Sequence, residues 1–235
     1  VYLSKFQILG DQPSADLAIT EASYVIDSAG YALATDYASL FNPKNNTNES
    51  IFEVVFDAQN FTRLAQYYFS RNLSGRYEFA PEAELIQSYE PADKQRLAAS
   101  FAYDSVTKQP YGFKYKDVSG GTDHVYVLRL AEMYLIRAEA MAYSNGNVAS
   151  IQADINVIRK RAGLENTTAD NIPALKLAIE NECRHEFVFE GQRWPDLVRT
   201  KRAVAVLGIN EKYTLFPIPL SEIQTNSLMT QNDGY

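Results

Sequence analysis

Hydrophobic positions along the chain fall into blocks of helical spacing separated by one long stretch without a period. Ala15, Ala18, Ala22, Val25 and Ala29 recur every three or four residues, which predicts a helix over Ser14–Ala29 with one apolar face. Ser14 is the expected N-cap and Gly30 the stop. A polar loop follows from Asn42 to Ser50. The run Ile51-Phe52-Glu53-Val54-Val55-Phe56 is β-branched and aromatic, so a short strand or extended segment is expected there.

The period is lost from Asp57 to Gly121. Short helices are expected over Phe61–Phe69 and Pro81–Tyr89, and a further element begins within Asp93–Ala102. Gln109–Gly121 holds Pro110, Gly112, Gly120 and Gly121 and has the composition of a loop. A stretch this irregular inside a compact domain is where binding residues concentrate.

Order returns at Val125. Leu128, Ala131, Leu135, Ala138 and Ala142 form a narrow apolar seam on a helix that Asn145-Gly146 ends. A second helix from Asn147 carries Ile151, Ile155, Ile158 and Ala162 on one face and stops at Gly163. So short a connection makes the two helices antiparallel, and Ala131, Ala138, Ala142, Ala149 and Ala153 permit close approach. The pair spans about 34 residues, the length of a tetratricopeptide repeat. Pro173 starts another helix running to about Phe189, Gly191 breaks it, and Pro195 opens a shorter one through Arg202. Leu215-Phe216-Pro217-Ile218-Pro219 must be extended, and Ser221 looks like the cap of a last turn, Glu222–Asn226.

Composition narrows the function classes. Of 235 residues, 46% are hydrophobic and 12% aromatic, too rich for a disordered chain. Acids outnumber bases 29 to 22, which argues against a nucleic-acid partner. The single Cys183 excludes an internal disulfide, and two histidines leave little room for a His-rich metal site. No cofactor is expected. No apolar run is long enough to span a bilayer, and no charged leader with an apolar stretch stands at Val1, so that start is read as following a cleavage or truncation.

Glu180 to Arg199 is the densest charged segment. Glu182 and Glu186 lie one turn apart, as an acid–base pair would, but helix ion pairs such as Glu180–Arg184 and Asp196–Arg199 are the plainer reading. His185-Glu186 does not extend to a zinc motif, because position 189 is Phe189. Gly120-Gly121 lacks the partners of a phosphate loop and reads as a flexible turn. Asn-x-Ser/Thr occurs at Asn45, Asn48, Asn60, Asn72 and Asn166, a pattern frequent by chance.

The segment from Tyr67 through Phe79 is different, because it concentrates aromatics and arginines without a period. Aromatic faces stack on sugar rings, and Arg and Asn donate hydrogen bonds that fix orientation. Tyr67, Tyr68, Arg71, Arg76 and Tyr77 are the candidate ligand-binding residues; no catalytic or metal-ligating residue is expected. The alternative is that these aromatics pack the irregular region onto the helices. Of the 16 tyrosines, Tyr126, Tyr134 and Tyr143 are assigned to packing on the repeat helix, while Tyr111 and Tyr115 lie with Tyr67, Tyr68 and Tyr77 in loop-like sequence where a ligand platform is expected.

Several motifs, in order, resemble the SusD/RagB family. Val127 to Ala140 looks like its hallmark helix, Ile155 to Leu164 its partner, and Glu182 to Arg199 its Glu/Arg-rich segment. Leu215–Pro219, Ser221-Glu222-Ile223, Gln231-Asn232 and Gly234-Tyr235 match its ending, and Glu49–Glu53 also fits. The resemblance implies a mainly all-α fold, with tetratricopeptide-like helix pairs in a right-handed superhelical scaffold, long irregular loops and room for a short strand pair. It divides the chain into a helix plus extended segment (1–56), an irregular ligand-binding region (57–124), helix pairs (125–207) and an extended tail (208–235).

By function, the resemblance implies a non-enzymatic, surface-exposed lipoprotein of the bacterial outer membrane. It would bind an oligosaccharide or polysaccharide and work with a SusC-like TonB-dependent transporter. The family's N-terminal half, with its lipid-modified cysteine, is expected upstream of this sequence; without it, apolar faces of the helices would be exposed or repacked. The alternatives are a peptide-binding RagB-like protein and a protein-docking module of tetratricopeptide type. A glycosidase would need two facing carboxylates about 5–10 Å apart.

Overall fold

The computed structural model describes residues 1–41 and 47–235, so residues 42–46 of the predicted polar loop and the Asn45 glycosylation pattern lie outside the described residues. The chain divides into two compact units, Val1–Gly191 and Gln192–Tyr235. No helix among the described residues is long and apolar enough to cross a membrane.

The first unit opens with helices α1 (Tyr2–Leu9) and α2 (Gln12–Ser28). The N-cap of α2 is Asp11, not Ser14, whose hydroxyl donates to the Asp11 carboxylate from inside the first turn. Strand β1 (Ser50–Val54) lies where the β-branched run predicted it. The irregular stretch contains α3 (Leu64–Tyr68), α4 (Ala83–Gln87), α5 (Lys94–Ser100), β2 (Phe101–Tyr103) and β3 (Pro110–Gly112). The loop expected over Gln109–Gly121 therefore begins with a strand, paired antiparallel to β2 through Ala102–Tyr111.

Val125–Arg129 is also a strand, β4, where the seam predicted a helix. Val125, Tyr126 and Val127 favour extended backbone, and pairing with β1 supplies the hydrogen bonds that decide the matter. Tyr126 is thus a buried strand residue whose hydroxyl donates to the Leu40 carbonyl at 2.8 Å.

The scaffold is α6 (Leu130–Tyr143), α7 (Val148–Arg161) and α8 (Ile172–Glu186). Asn147 and Asn171 cap the last two through bonds to the Ser150 and Ala174 amides. Ala138 and Ala142 of α6 let Ile151 and Ile155 of α7 and Leu175 and Ile179 of α8 close into one core, all 0–1% exposed. Each such Ile or Leu contributes about 1.5–3 kcal/mol on burial. On the other side of α6, Ala140 packs with Leu3 and Ala18, so α1 and α2 extend the helical layer. Arg137 of α6 grips Asp154 of α7 by two parallel bonds, 2.9 and 2.7 Å long. α8 ends three residues before Phe189, which adopts φ 64°. Such a backbone strains a bulky residue, and the packing of its ring against Tyr68 and Phe101 holds it there.

The second unit holds α9 (Arg193–Arg199), α10 (Ala203–Leu207) and α11 (Leu220–Thr225). The last is capped by Pro219 rather than Ser221. Pro217 and Pro219 cannot donate to a strand ladder, and polar side chains bond the intervening backbone instead. Gln231 accepts from the Ile218 amide and donates to its carbonyl, Asn232 donates to Phe216 and Tyr235 to Leu215.

Candidate functional site

The charged segment at the end of α8 is a buried ion network. Arg129, 1% exposed, bonds Glu49, Glu186 and Glu190. Arg161 pairs with Glu49 and Glu186, and Arg96 with Asp93 and Glu182. Burial opposes the charge of Glu186, but Arg161, Arg129 and Arg96 outweigh it and hold its carboxyl well below the usual range. Carboxylates fixed in this way are structural. Glu182 is also held by Arg159 at 2.7 Å, so neither member of the one-turn pair is free for proton transfer.

His124 faces Glu53 at 3.1 Å and His185 faces Ser88 at 3.0 Å, and no cluster of metal-ligating side chains occurs among the described residues. Asp117 organises the Gly120-Gly121 turn by accepting from the Gly120 and Thr122 amides, and the turn leads into β4 rather than a helix.

The aromatic-rich segment folds back on α3. The amides of Arg76, Tyr77 and Glu78 donate to the carbonyls of Gln66, Phe69 and Tyr67, closing residues 66–78 into a compact loop. Gly75 is required by close approach, since a Cβ there would lie 2.1 Å from the Phe69 carbonyl oxygen. Tyr77 sits at φ 51°, a strained conformation held by the loop and by its hydroxyl's 2.9 Å bond to the Pro110 carbonyl.

This folding separates the five candidate residues. Arg71 and Tyr77 come together in a cleft of about 390 Å³, lined also by Ser70, Asn72, Asp104, Thr107 and Gln109. Tyr67 and Arg76 come together on the outer face, the guanidinium 5.2 Å from the ring centre. Phe79, 54% exposed, meets Tyr67 edge-on at 5.7 Å and completes that face. Tyr68 instead packs half-buried against Phe79, Tyr115 and Phe189, and burial pushes its phenol up. Tyr111 and Tyr115 are buried rather than presented on a loop surface, so neither ring is open to a ligand.

Asp104 is the residue that sequence reasoning missed. Its carboxylate accepts from the Ser70 hydroxyl, from Asn72 at 3.3 Å, and from the Val106 and Thr107 amides at 2.7 and 2.9 Å. The Ser70 bond and these amides hold it well below the ordinary carboxylate range. Asp104 thereby joins the tip of the β2–β3 hairpin to the loop bearing Arg71. An Asp before a turn that bonds amides two and three residues on is a local signal the sequence does carry. The bond to Ser70, 34 positions away, leaves none.

The SusD family model matches residues 88–214, more than half of the chain. The chain belongs to the SusD family. A SusD-like protein of Bacteroides ovatus is 28% identical over 232 residues, covering 80% of this chain and 41% of that protein. The starch-binding protein SusD of Bacteroides thetaiotaomicron is 36% identical over 122 residues, 46% of this chain and 21% of that one. The chain thus spans less than half the length of these curated relatives.

Among solved structures, a SusD superfamily protein from Parabacteroides distasonis superposes on the whole chain with a TM-score of 0.83 at 24% identity, over 60% of its own length. Surface glycan-binding protein A of Bacteroides thetaiotaomicron, solved with laminarihexaose, aligns with 98% of the chain at a TM-score of 0.81 and 21% identity, over 62% of its length. The mainly helical, tetratricopeptide-like architecture is shared with these SusD-type folds.

Proposed function

We infer that the chain is the glycan-binding part of a bacterial nutrient-uptake protein, and that its ligand sits across the Arg71–Tyr77 cleft and the Tyr67–Phe79 face. The observation carrying this reading is the presence, on one folded loop, of a polar cleft wall and an aromatic pair made of a half-buried Tyr67 and an exposed Phe79, in a chain of the SusD family. Aromatic rings stack on the apolar face of a sugar, while Arg71, Asn72 and Gln109 offer hydrogen bonds to its hydroxyls. A relative named starch-binding and a structural neighbour holding laminarihexaose support a glycan as the ligand class.

The role is binding rather than catalysis. The cleft's one carboxylate, Asp104, has its charge occupied by four hydrogen bonds, which suits a structural part better than an acid or base. The protein would act at the outer surface of the outer membrane, lipid-anchored, handing oligosaccharide to a SusC-like TonB-dependent transporter. Calorimetry with a panel of neutral and acidic oligosaccharides tests the site. Binding that a Tyr77→Ala, Phe79→Ala double variant weakens by about tenfold or more supports it; equal affinity in the two proteins overturns the placement. Co-purification with the cognate transporter tests the partner.

A further inference from the structure

The charges around the cleft do not balance. Asp104 keeps its negative charge, but its two oxygens face Ser70, Asn72 and two backbone amides, and neither forms an ion pair with Arg71 or Lys108. Arg76, on the outer face, pairs with Glu78 at 2.5 Å. Arg71 is exposed and its guanidinium meets no acceptor among the described residues. Lys108, on the same hairpin tip as Asp104 and Thr107, donates to the Ser105 carbonyl at 2.7 Å and pairs with no carboxylate among the described residues. A cleft wall and its rim thus carry two unmatched cations in a chain of net charge −7.

We propose that the cleft takes a carboxylate-bearing sugar, a glycan residue of the uronic acid class, with Arg71 as its charge partner and Lys108 adding to the field. A guanidinium fork matches the two oxygens of a carboxylate, and an arginine without an internal partner loses no ion pair on engaging one. The Tyr67–Phe79 pair on the same loop, with Phe79 exposed and Tyr67 half-buried, would carry the neighbouring sugar rings by stacking. This assignment rests on reading the cleft as the glycan site, and it adds the ligand's charge.

The test compares an oligogalacturonate with a neutral galacto-oligosaccharide of equal length by calorimetry. The acidic probe is expected to bind about tenfold tighter at low salt, the size of one charge-assisted bond pair. That ratio should shrink as salt rises. In Arg71→Gln both probes weaken and the acidic one weakens more, so the ratio falls to within about twofold. Lys108→Gln shifts the ratio in the same direction by less. Both side chains are exposed or tied to backbone only, so the variants keep the fold, which far-ultraviolet circular dichroism checks. Equal affinity for the two probes, or an unchanged ratio in Arg71→Gln, overturns the acidic assignment while leaving a neutral-glycan site standing. If no member of the wider oligosaccharide panel binds, the glycan reading itself falls and takes the assignment with it.

Discussion

Lys114 Nζ lies 2.6 Å from Glu190 Oε1, and the two side chains are 0% and 2% exposed. The ammonium also donates to the Glu186 carbonyl and lies 4.5 Å from the centre of the Phe41 ring. Lys114 belongs to the irregular region that carries the cleft, and Glu190 follows α8 of the scaffold. The pair therefore ties the binding region to the helices.

The tie is asymmetric. Glu190 keeps two bonds from Arg129 if Lys114 is removed, and the Glu186 carbonyl keeps Arg129 and Tyr37. Lys114 has no second carboxylate among its hydrogen bonds if Glu190 is removed. Lys114→Met should therefore cost less than about 1.5 kcal/mol, and Glu190→Leu about 3–5 kcal/mol, because only the second strands a buried charge. Urea unfolding of the two variants decides; the opposite order would refute the argument.

The same lysine sets a pH dependence. Burial, opposed by Glu190, lowers the Lys114 pKa from 10.5 to about 8. Between those values the unfolded chain holds a proton that the folded chain has released, so stability rises with pH, by at most about 1.4 kcal/mol per unit. Below about pH 8 both states are protonated, so the slope disappears. Tyr37, Tyr89 and Tyr115, whose phenols burial pushes up, reverse the trend above about pH 10. The stability difference between the unmodified chain and Lys114→Met should widen steadily across pH 8–10. A flat difference would mean that Lys114 titrates normally.

The scaffold is legible in the sequence because its seam repeats. Ile151, Ile155 and Ile158 announce one helix face and Ala138 and Ala142 another, and all five are buried as expected. Val125–Arg129 misleads because a strand flush against a helix lets the helical seam run backwards into it, and only its partner Ser50–Val54, some 70 positions upstream, reveals the break. The site is half legible. Local density singles out the Tyr67–Phe79 loop, but which rings face outward depends on Tyr115 and Phe189, which pack on Tyr68 from far along the chain. No local pattern could have told Tyr68 from Tyr67.

Asp104 should act as a positioning residue for the cleft. Asp104→Asn keeps the shape but replaces an acceptor oxygen by a donor facing the Ser70 hydroxyl or the Val106 and Thr107 amides. Faster hydrogen exchange is expected at Val106 and Thr107, with the helix signal of α6–α8 unchanged. Oligosaccharide affinity should fall about three- to tenfold as the Arg71 loop loses its hold on the hairpin. Unchanged exchange at those amides would remove Asp104 from this role.

Phe79 and Tyr68 touch each other, yet they should separate cleanly by experiment. Phe79 is 54% exposed, so Phe79→Ala should cost less than about 1 kcal/mol of stability. Tyr68 is wedged between Tyr115 and Phe189, its ring centre 4.7 Å from that of Phe189, so Tyr68→Ala should cost about 2–4 kcal/mol. Binding should run the other way. Phe79→Ala removes a stacking surface and should weaken every oligosaccharide that binds, acidic or neutral, by about three- to tenfold. Tyr68→Ala, measured well below its lowered unfolding temperature, should weaken binding less. Thermal unfolding and calorimetry on the same two samples give both axes. If Tyr68→Ala is the variant that abolishes binding while leaving the unfolding temperature in place, the ligand enters the ring cluster instead, and the outer face is not the platform.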